Sequence, residues 1–436
     1  MRCVGTAQTG ALGRTTLSAY LTKPATLRFV NLSDKVRAEI VVLQKATNRQ
    51  TRLFNQQLVL RTIYDRASVS RADVARVTGL TRTTVSELVE QLIAEGLVGE
   101  IGTGPSTGGK APILLSVPDD ARQLIGIDVG DSALTGAVVN LRGEVREQVE
   151  LPLDGRDGEQ ALQRIDQLVD RLMAAADRPL LGIGLGTPGL IDTSTGTVRW
   201  AVNLDWRDLP LAQRFSDRYG LPAYIVNDSH AAALAEHTFG GYQGARSMLV
   251  VKVGRGIGAG IVIDDGLFQG DGFGAGEIGH TSVADNHRPC RCGSVGCLET
   301  IASTRAVVQR ARELAPHAPE SRLHRNAEID FAALVAAYEA GDELAREVVL
   351  DAAHHLGRSI GALVGALNIE RIVLVGAMAV FGEPWLAAIR REAHRSSLAL
   401  LAEQTRIDVG RLEQNLVVLG SAALLMRREL GLALGR

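Results

Sequence analysis

Residues 124–143 read LIGIDVGDSALTGAVVNLRG, which is the pattern of two short strands. A mostly apolar run ends at Gly130, a second apolar run covers 135–139, and turn residues follow at 140–143. The same order recurs over 249–266, LVVKVGRGIGAGIVIDDG. Ligands of α/β folds bind near strand ends and glycine-rich turns. The repeat therefore predicts an α/β protein with duplicated lobes and a ligand cleft between them.

The composition is that of a soluble globular protein. Of 436 residues, 46% are hydrophobic and 22% charged, and no apolar run reaches the ~18 residues that a membrane-spanning helix needs. We therefore expect no membrane insertion. Three of the four cysteines fall between residues 290 and 297, which suits a metal site and a reducing cytoplasm better than a disulfide framework.

Charge divides the chain unevenly. Residues 1–117 carry 15 Lys and Arg against 8 Asp and Glu, whereas residues 118–436 carry 32 against 41. A basic N-terminal segment joined to an acidic one indicates that the N-terminal segment binds nucleic acid. We predict four segments: a partly disordered extension at 1–48, a DNA-binding domain at 49–117, a first lobe at 118–245, and a second lobe at 246–436 whose C-terminal helix returns to the first.

Three helices are predicted in the basic segment. The first covers 51–65, Ser70 caps a second helix that Gly79 ends, and Thr81 caps a third that Gly96 ends. The third helix carries four apolar residues on one face, Val85, Leu88, Val89 and Leu92. A short helix, a tight turn and a longer helix make a helix-turn-helix, which is a DNA-binding motif.

The third helix of such a motif lays its first turns in the major groove. Side chains suited to base edges and phosphates stand there and at the start of the second helix: Ser70, Arg71, Thr81, Arg82, Thr83, Thr84 and Ser86. Strands predicted near 97–101 and 113–115 flank a glycine-rich hairpin that carries Lys110, the pattern of a wing that touches phosphate or the minor groove. An ordinary three-helix bundle with a polar surface is the alternative.

Over residues 49–436 the chain resembles the ROK family of repressors, open reading frames and kinases. The resemblance is carried by GLGTPGLID at 184–192, by VND at 226–228 before an alanine-rich helix, and by GEIGH at 276–280 with CRCGSVGCLE at 290–299. It implies a winged helix-turn-helix followed by a two-lobed, actin-like and sugar-kinase-like fold with duplicated ββαβα lobes. Family members with such a DNA-binding head are transcriptional regulators.

The cysteine cluster indicates a metal site. Cys290, Cys292 and Cys297, with His280 upstream, supply four ligands, and a closed Cys3His set is typical of structural Zn²⁺. Gly293 and Gly296 allow the backbone to fold round an ion; three buried free cysteines are the alternative. The resemblance implies in addition that His280 faces the sugar. The metal would then orient a sugar ligand through the second ring nitrogen of this histidine.

The resemblance also implies a sugar site. It assigns the contacts to residues beside glycine-rich turns: Asn227, Asp228, Glu277, His280 and Glu299, with Asn203 as a weaker candidate. Three carboxylates and a histidine are costly to bury without such a role, although each alone is compatible with a surface position. In the family's kinases the residue that corresponds to Asp228 takes the proton of the sugar hydroxyl.

Three loops that hold the nucleotide in the kinases depart from the family pattern. Asp131 stands where a glycine is usual and puts a negative charge near the phosphates. Arg255 replaces a threonine and could either bind phosphate or neutralise Asp131. Ala377 and Met378 fill space that glycines leave for the nucleotide. Phosphoryl transfer rests on positioning and on neutralising phosphate charge, so we expect a sensor that has lost ATP rather than an enzyme.

The sequence thus predicts a sugar-responsive DNA-binding regulator, a repressor of carbohydrate-utilisation genes that a sugar or sugar phosphate releases from operator DNA. We expect a cytoplasmic homodimer or homotetramer. One alternative is an ATP-dependent hexose kinase, glucokinase-like, that carries a DNA-binding head and uses Asp228 as catalytic base. Another is a regulator controlled by a protein partner, with a vestigial sugar cleft.

Overall fold

The computed structural model describes residues 47–105, 111–326, 328–412 and 414–432. The chain divides into two compact units, residues 1–50 and 51–436. Residues 1–46 of the predicted extension and Lys110 of the predicted wing lie outside the described residues. In the part of the chain that is described, no helix has both the length and the hydropathy needed to cross a bilayer.

The N-terminal part of the larger unit, residues 51–117, is called the head below. The elements up to its end are α1 (Asn48–Arg66), β1 (Val69–Ser70), α2 (Arg71–Thr78), α3 (Arg82–Ala94), β2 (Gly99–Thr103) and β3 (Ile113–Ser116). The strands form a sheet in the order β1-β3-β2. The three predicted helices and both strands of the wing are confirmed, whereas the two-residue strand β1 was not predicted.

The helices of the head begin and end at the local signals that the sequence predicted. The Ser70 hydroxyl accepts from the backbone N–H of Asp73 at 3.2 Å and begins α2. Gly79 ends α2 with a left-handed φ of 71°. The Thr81 hydroxyl accepts from the N–H of Thr84 at 3.2 Å and begins α3. The apolar face predicted for α3 is buried, so the opposite face is free to meet DNA.

Lobe 1 is a mixed sheet with helices packed on it. Its elements are β4 (Gln123–Val129), β5 (Ala133–Asn140), β6 (Val145–Pro152), α4 (Gly158–Ala175), β7 (Leu180–Thr187), β8 (Leu190–Asp192), β9 (Thr197–Ala201), β10 (Trp206–Leu209), α5 (Leu211–Tyr219), β11 (Ala223–Asn227) and α6 (Asp228–Phe239). The main sheet has the order β11-β7-β4-β5-β6, and β10-β9-β8 form a small second sheet.

Lobe 2 repeats this plan. Its elements are β12 (Met248–Val253), β13 (Ile257–Ile263), β14 (Gly266–Phe268), α7 (Glu299–Ala302), α8 (Thr304–Leu314), α9 (Phe331–Glu339), α10 (Glu343–Leu367), β15 (Arg371–Val375), α11 (Gly382–Arg395), α12 (Ala399–Gln404), β16 (Arg406–Val409) and α13 (Leu416–Leu430). The sheet order is β14-β13-β12-β15-β16. In both lobes the first strand pairs antiparallel with the second and parallel with the fourth, which is β7 in lobe 1 and β15 in lobe 2. This shared pairing confirms the predicted duplication.

The last helix, α13, packs against strands of lobe 1. Glycines make the approach possible: a Cβ on Gly184 of β7 would lie 2.3 Å from the backbone oxygen of Ser421. A Cβ on Gly126 of β4 would lie 2.4 Å from the oxygen of Val418. Any larger residue at either strand position would push the helix off the sheet, because backbone atoms cannot yield.

The head and lobe 1 share one hydrophobic core. Buried residues of α1 and α3, such as Ile63 and Leu92, belong to the same cluster as Leu124 of lobe 1 and Met426 of α13. The Tyr64 hydroxyl also donates to the backbone oxygen of Leu141 at 2.6 Å. The head is therefore packed onto lobe 1 rather than tethered to it.

Candidate functional site

The first turn of α3 presents a polar surface. Arg82 and Thr83 are exposed and Ser86 is partly exposed. The hydroxyls of Thr81 and Thr84 bond to each other at 2.9 Å as part of the helix cap. The side chains with most freedom to reach DNA are therefore Arg82 and Thr83.

Two other predicted DNA contacts are engaged within the head. Ser70 is buried, and its hydroxyl donates to a carboxylate oxygen of Asp73 at 2.7 Å. Arg71 forms an ion pair with Glu100 of β2 at 3.1 Å. The role of Ser70 in the structure is thus the helix cap, and Arg71 links α2 to the wing strand.

The structure gathers the four predicted metal ligands at one point. The ligand atoms of His280, Cys290, Cys292 and Cys297 all lie within 4.8 Å of one another. The sulfurs of Cys292 and Cys297 are 3.7 Å apart, and Nδ1 of His280 is 3.6 Å from the sulfur of Cys290. Thiolates ~2.3 Å from a tetrahedral ion stand about 3.8 Å apart, whereas a disulfide needs about 2 Å. The site therefore fits Zn²⁺ and not a disulfide.

The chemistry of the thiols agrees with a cation at this point. The hydrogen bond from the backbone of Ser294 lowers the pKa of Cys292 to about 6, whereas burial raises the pKa of Cys297. Three neighbouring thiols cannot all lose their protons unless a positive ion offsets the charge. Gly293 and Gly296, with φ of 92° and 84°, form the turns that bring the sulfurs together.

Histidine 280 lies between the cysteine cluster and the carboxylate of Glu277. Its Nδ1 faces Cys290, and its Nε2 lies 3.9 Å from a carboxylate oxygen of Glu277. Burial raises the pKa of Glu277. Glu299 is held beside it, because one oxygen accepts from the backbone N–H of Ile257 at 3.0 Å. This is the arrangement expected if a metal orients the histidine towards a ligand.

Asn227 and Asp228 stand where β11 meets α6. The Asn227 side-chain oxygen accepts from the N–H groups of Ser229 and His230 at 2.9 and 3.2 Å, so it caps α6. Its amide nitrogen donates to the backbone oxygen of Gly189 at 3.0 Å. Asn227 therefore holds the loop near Gly189 against the helix, with one amide hydrogen left for a ligand.

Sequence reasoning missed Lys252, which is central to the site. Its ammonium donates to Asp228 at 2.6 Å and also lies in the field of Asp128. Burial by itself would raise the pKa of Asp228. The charge of Lys252 and the hydrogen bonds from Lys252 and Ser229 together outweigh it, so the pKa of Asp228 lies below its usual value. A lysine inside the apolar strand MLVVKV at 248–253 was the available signal.

Two of the three loops that depart from the kinase pattern meet through an ion pair. Nε of Arg255 lies 3.3 Å from a carboxylate oxygen of Asp131, which agrees with the prediction that Arg255 could neutralise Asp131. The amide of Asn203 donates to the same carboxylate at 3.4 Å. The prediction for Met378 is wrong: its side chain is fully buried in the core of lobe 2 and does not fill nucleotide space, whereas Ala377 is exposed.

Replacing Asp128 by asparagine should stabilise the protein at neutral pH. Burial raises the pKa of Asp128 from 3.8 to about 6. Between these two pH values the folded state therefore keeps a proton that the unfolded state has lost. The free energy of unfolding of the wild type therefore falls as pH rises from about 4 to about 6. Asp128→Asn should raise that free energy by about 1–2 kcal/mol at pH 7.5 and by less near pH 4.

Urea unfolding at both pH values measures this effect, with Asp271→Asn as the control because Asp271 is exposed. An equal change at the two pH values would show that the pKa of Asp128 is the same in the folded and the unfolded protein, which would contradict the raised pKa.

Two family models match the chain. One, described as the ROK family, matches residues 124–428. The other, described as winged helix-turn-helix DNA-binding, matches residues 55–98. The chain is 35% identical over 380 residues to the xylose repressor of Caldicellulosiruptor bescii, across 85% of this chain and 95% of the repressor. It is 30% identical over 378 residues to the transcriptional dual regulator NagC of Escherichia coli, across 86% and 92%.

Solved structures separate two kinds of relative. A ROK family transcriptional regulator, a homologue of the E. coli Mlc protein, superposes with a TM-score of 0.78 at 26% identity and covers 87% of this chain and 96% of that one. A ROK glucokinase from Streptomyces griseus, solved with glucose and AMPPNP, has a TM-score of 0.63 at 27% identity. It is covered over 98% of its own length but spans only 69% of this chain.

Proposed function

The chain belongs to the ROK family, and we propose that it is a sugar-responsive DNA-binding transcriptional regulator, a repressor of carbohydrate-utilisation genes that a sugar releases from operator DNA. The observation that carries the proposal is the single hydrophobic core shared by the DNA-binding head and lobe 1. The xylose repressor, the dual regulator NagC and the solved regulator match 85–87% of this chain, so their likeness extends well beyond the lobes.

The sugar-binding residues of this proposal are Asp228, Glu277, Glu299 and His280, with Asn203 and Asn227 beside them. They come from both lobes: Asn203, Asn227 and Asp228 belong to lobe 1, whereas Glu277, His280 and Glu299 belong to lobe 2. A sugar that contacts both sets binds best when the lobes are close. Binding then shifts the population towards the closed state, provided that the closed state has the higher sugar affinity.

The metal of this proposal is one structural Zn²⁺ held by His280, Cys290, Cys292 and Cys297. Four protein ligands leave no open position for a substrate, so the ion would shape the loop and fix the orientation of the histidine. Nε2 of His280 would then face the sugar beside Glu277, from which it is 3.9 Å away.

The coupling to DNA follows from the packing of the head. Leu141 and Arg142 lie in the turn after β5. The Tyr64 hydroxyl donates to the backbone oxygen of Leu141, and Cζ of Arg142 lies 3.8 Å from the centre of the Tyr64 ring. Movement of lobe 1 would therefore shift α1 and α3 with it. In a homodimer or homotetramer this changes the spacing of two recognition helices, which must fit successive major grooves of one operator.

The test measures fluorescence anisotropy of labelled DNA from upstream of this protein's own gene, at one fixed salt concentration. Sugars such as xylose, glucose and N-acetylglucosamine, and their phosphates, are then added. We expect one of them to release the DNA from the wild type. Glu277→Gln should need about 100-fold more sugar, because a buried hydroxyl partner is lost.

Glu347→Gln, at an exposed position on α10, is the matched control and should respond as the wild type does. Glu277 is preferred to His280 because a histidine variant would also remove a metal ligand. If Glu277→Gln released DNA at the same sugar concentration as the wild type, the proposed sugar site would be refuted. Release by cell extract and by no pure sugar would indicate control by a protein partner.

The kinase alternative has one observation in its favour, which is the presence of Asp228. That carboxylate is bonded to Lys252 at 2.6 Å and its pKa lies below the usual value, which makes it a weak base for a sugar hydroxyl. ATP consumption with a panel of hexoses separates the two functions. Turnover that Asp228→Asn abolishes would establish the kinase.

A further inference from the structure

Two arginines are brought together at the turn between β12 and β13. The backbone N–H of Thr304, the first residue of α8, donates to the backbone oxygen of Gly254 at 2.9 Å. Arg305 and Arg255 are the next residues along their two segments, so this bond holds their backbones side by side. Glu299, one of the proposed sugar ligands, braces the same turn.

The guanidinium of Arg305 has one nitrogen without a hydrogen bond in the described part of the chain. Its Nε is buried without a hydrogen-bond partner among the described residues. Burial lowers the pKa of Arg305, the charges of Arg291 and Arg255 lower it further, and Glu299 and Asp131 act in the opposite direction. The two carboxylates thus do not offset the burial and the like charges, so a further anion would stabilise this partly buried cation.

The other two arginines remain accessible to a ligand. Arg255 is 56% exposed and meets Asp131 through Nε. Arg291 lies in the cysteine loop and is exposed. The N-terminus of α8, an 11-residue helix, also points its partial positive charge to this place.

We propose that Arg255, Arg291 and Arg305 form an anion subsite beside the sugar residues and that this subsite receives a phosphate monoester. Planar guanidinium groups bind phosphate oxygens through paired, charge-assisted hydrogen bonds. The inference rests on the proposed sugar-sensing function, because the phosphate is that of a sugar phosphate whose ring lies against Glu277 and Glu299. A nucleotide would offer the same chemistry, and the experiment separates the two.

The test is calorimetric titration of the full-length protein with glucose, N-acetylglucosamine, their 6-phosphates, ADP and inorganic phosphate. At least one 6-phosphate should bind about tenfold or more tightly than its parent sugar. In Arg305→Gln this difference should vanish while the affinity for the parent sugar is kept. Arg255→Gln should reduce it as well, and the exposed position of Arg255 excludes misfolding as the reason.

Arg406→Gln, at an exposed position on β16 of the same lobe, is the control and should bind as the wild type does. If parent sugars and their phosphates bound equally well to the wild type, and neither ADP nor inorganic phosphate bound, the anion subsite would be refuted and the sugar site would stand. If inorganic phosphate or ADP bound through Arg305 and no sugar bound, the anion subsite would stand and the sugar site would be refuted. ADP affinity lost in Arg305→Gln, with no preference for sugar phosphates, would assign the subsite to a nucleotide.

Discussion

A chain with serine in place of Cys292 should lose about one bound Zn²⁺, unfold about 5 °C or more below the wild type, and bind its sugar at least about tenfold less tightly. The sulfur of Cys292 lies 3.7 Å from that of Cys297, in the middle of the ligand set. If Zn²⁺ is bound as proposed, we expect the ion to leave without this sulfur. The loop at 290–297 would then lose its cross-link, and His280 would no longer be fixed towards Glu277.

Metal analysis by mass spectrometry, thermal unfolding and the calorimetric sugar titration measure the three effects. Cys3→Ser is the matched control, because it removes the one cysteine outside the cluster and should leave the metal content unchanged. A strong chelator should reproduce the serine phenotype in the wild type. A metal-free protein that keeps its full stability and sugar affinity would refute the zinc site.

Operator affinity should fall about 100-fold or more when Arg82 and Thr83 are both replaced by alanine. These residues are exposed on the first turn of α3, where a recognition helix meets base edges. A bidentate contact from an arginine to a base is worth about 1–3 kcal/mol, and the hydroxyl adds a smaller amount. If Arg82 contacts phosphate instead, the slope of log affinity against log salt should become shallower by about 0.9.

Anisotropy titrations at several salt concentrations distinguish these two roles. Arg391→Ala removes a comparable exposed charge from α11 of lobe 2 and should leave both affinity and salt slope unchanged. Wild-type affinity in the double variant, with no change in slope, would show that α3 does not enter the groove. Sugar binding should be unaffected in every head variant, because the sugar residues all belong to the lobes.

Local signals in the sequence were sufficient for the head and for the metal site. Ser70, Gly79 and Thr81 mark helix ends through bonds that span three or four residues, so no distant part of the chain is needed to predict them. The cysteines are close in sequence, and short loops with glycines can close on an ion. The duplicated lobes were likewise visible as a repeated order of strands and turns.

Tertiary structure alone decided which distant groups meet. The partner of Lys252 is Asp228 at the start of α6, and that of Arg255 is Asp131 in the other lobe. Strand β1 exists because β3, more than 40 residues later, offers it backbone partners. The direction of Met378, predicted to face the nucleotide, was set by the core of lobe 2.

The sequence by itself determined the helices and wing strands of the head, the duplication and the candidate metal ligands, since each depends on neighbours along the chain. The fold decided that the head shares its core with lobe 1 and that Asp228 is bonded to a lysine. It also decided that Nε of Arg305 is buried without a hydrogen-bond partner among the described residues. The physical reason is that burial and electrostatic pairing depend on distances in space, and these are set only when sheets and helices pack.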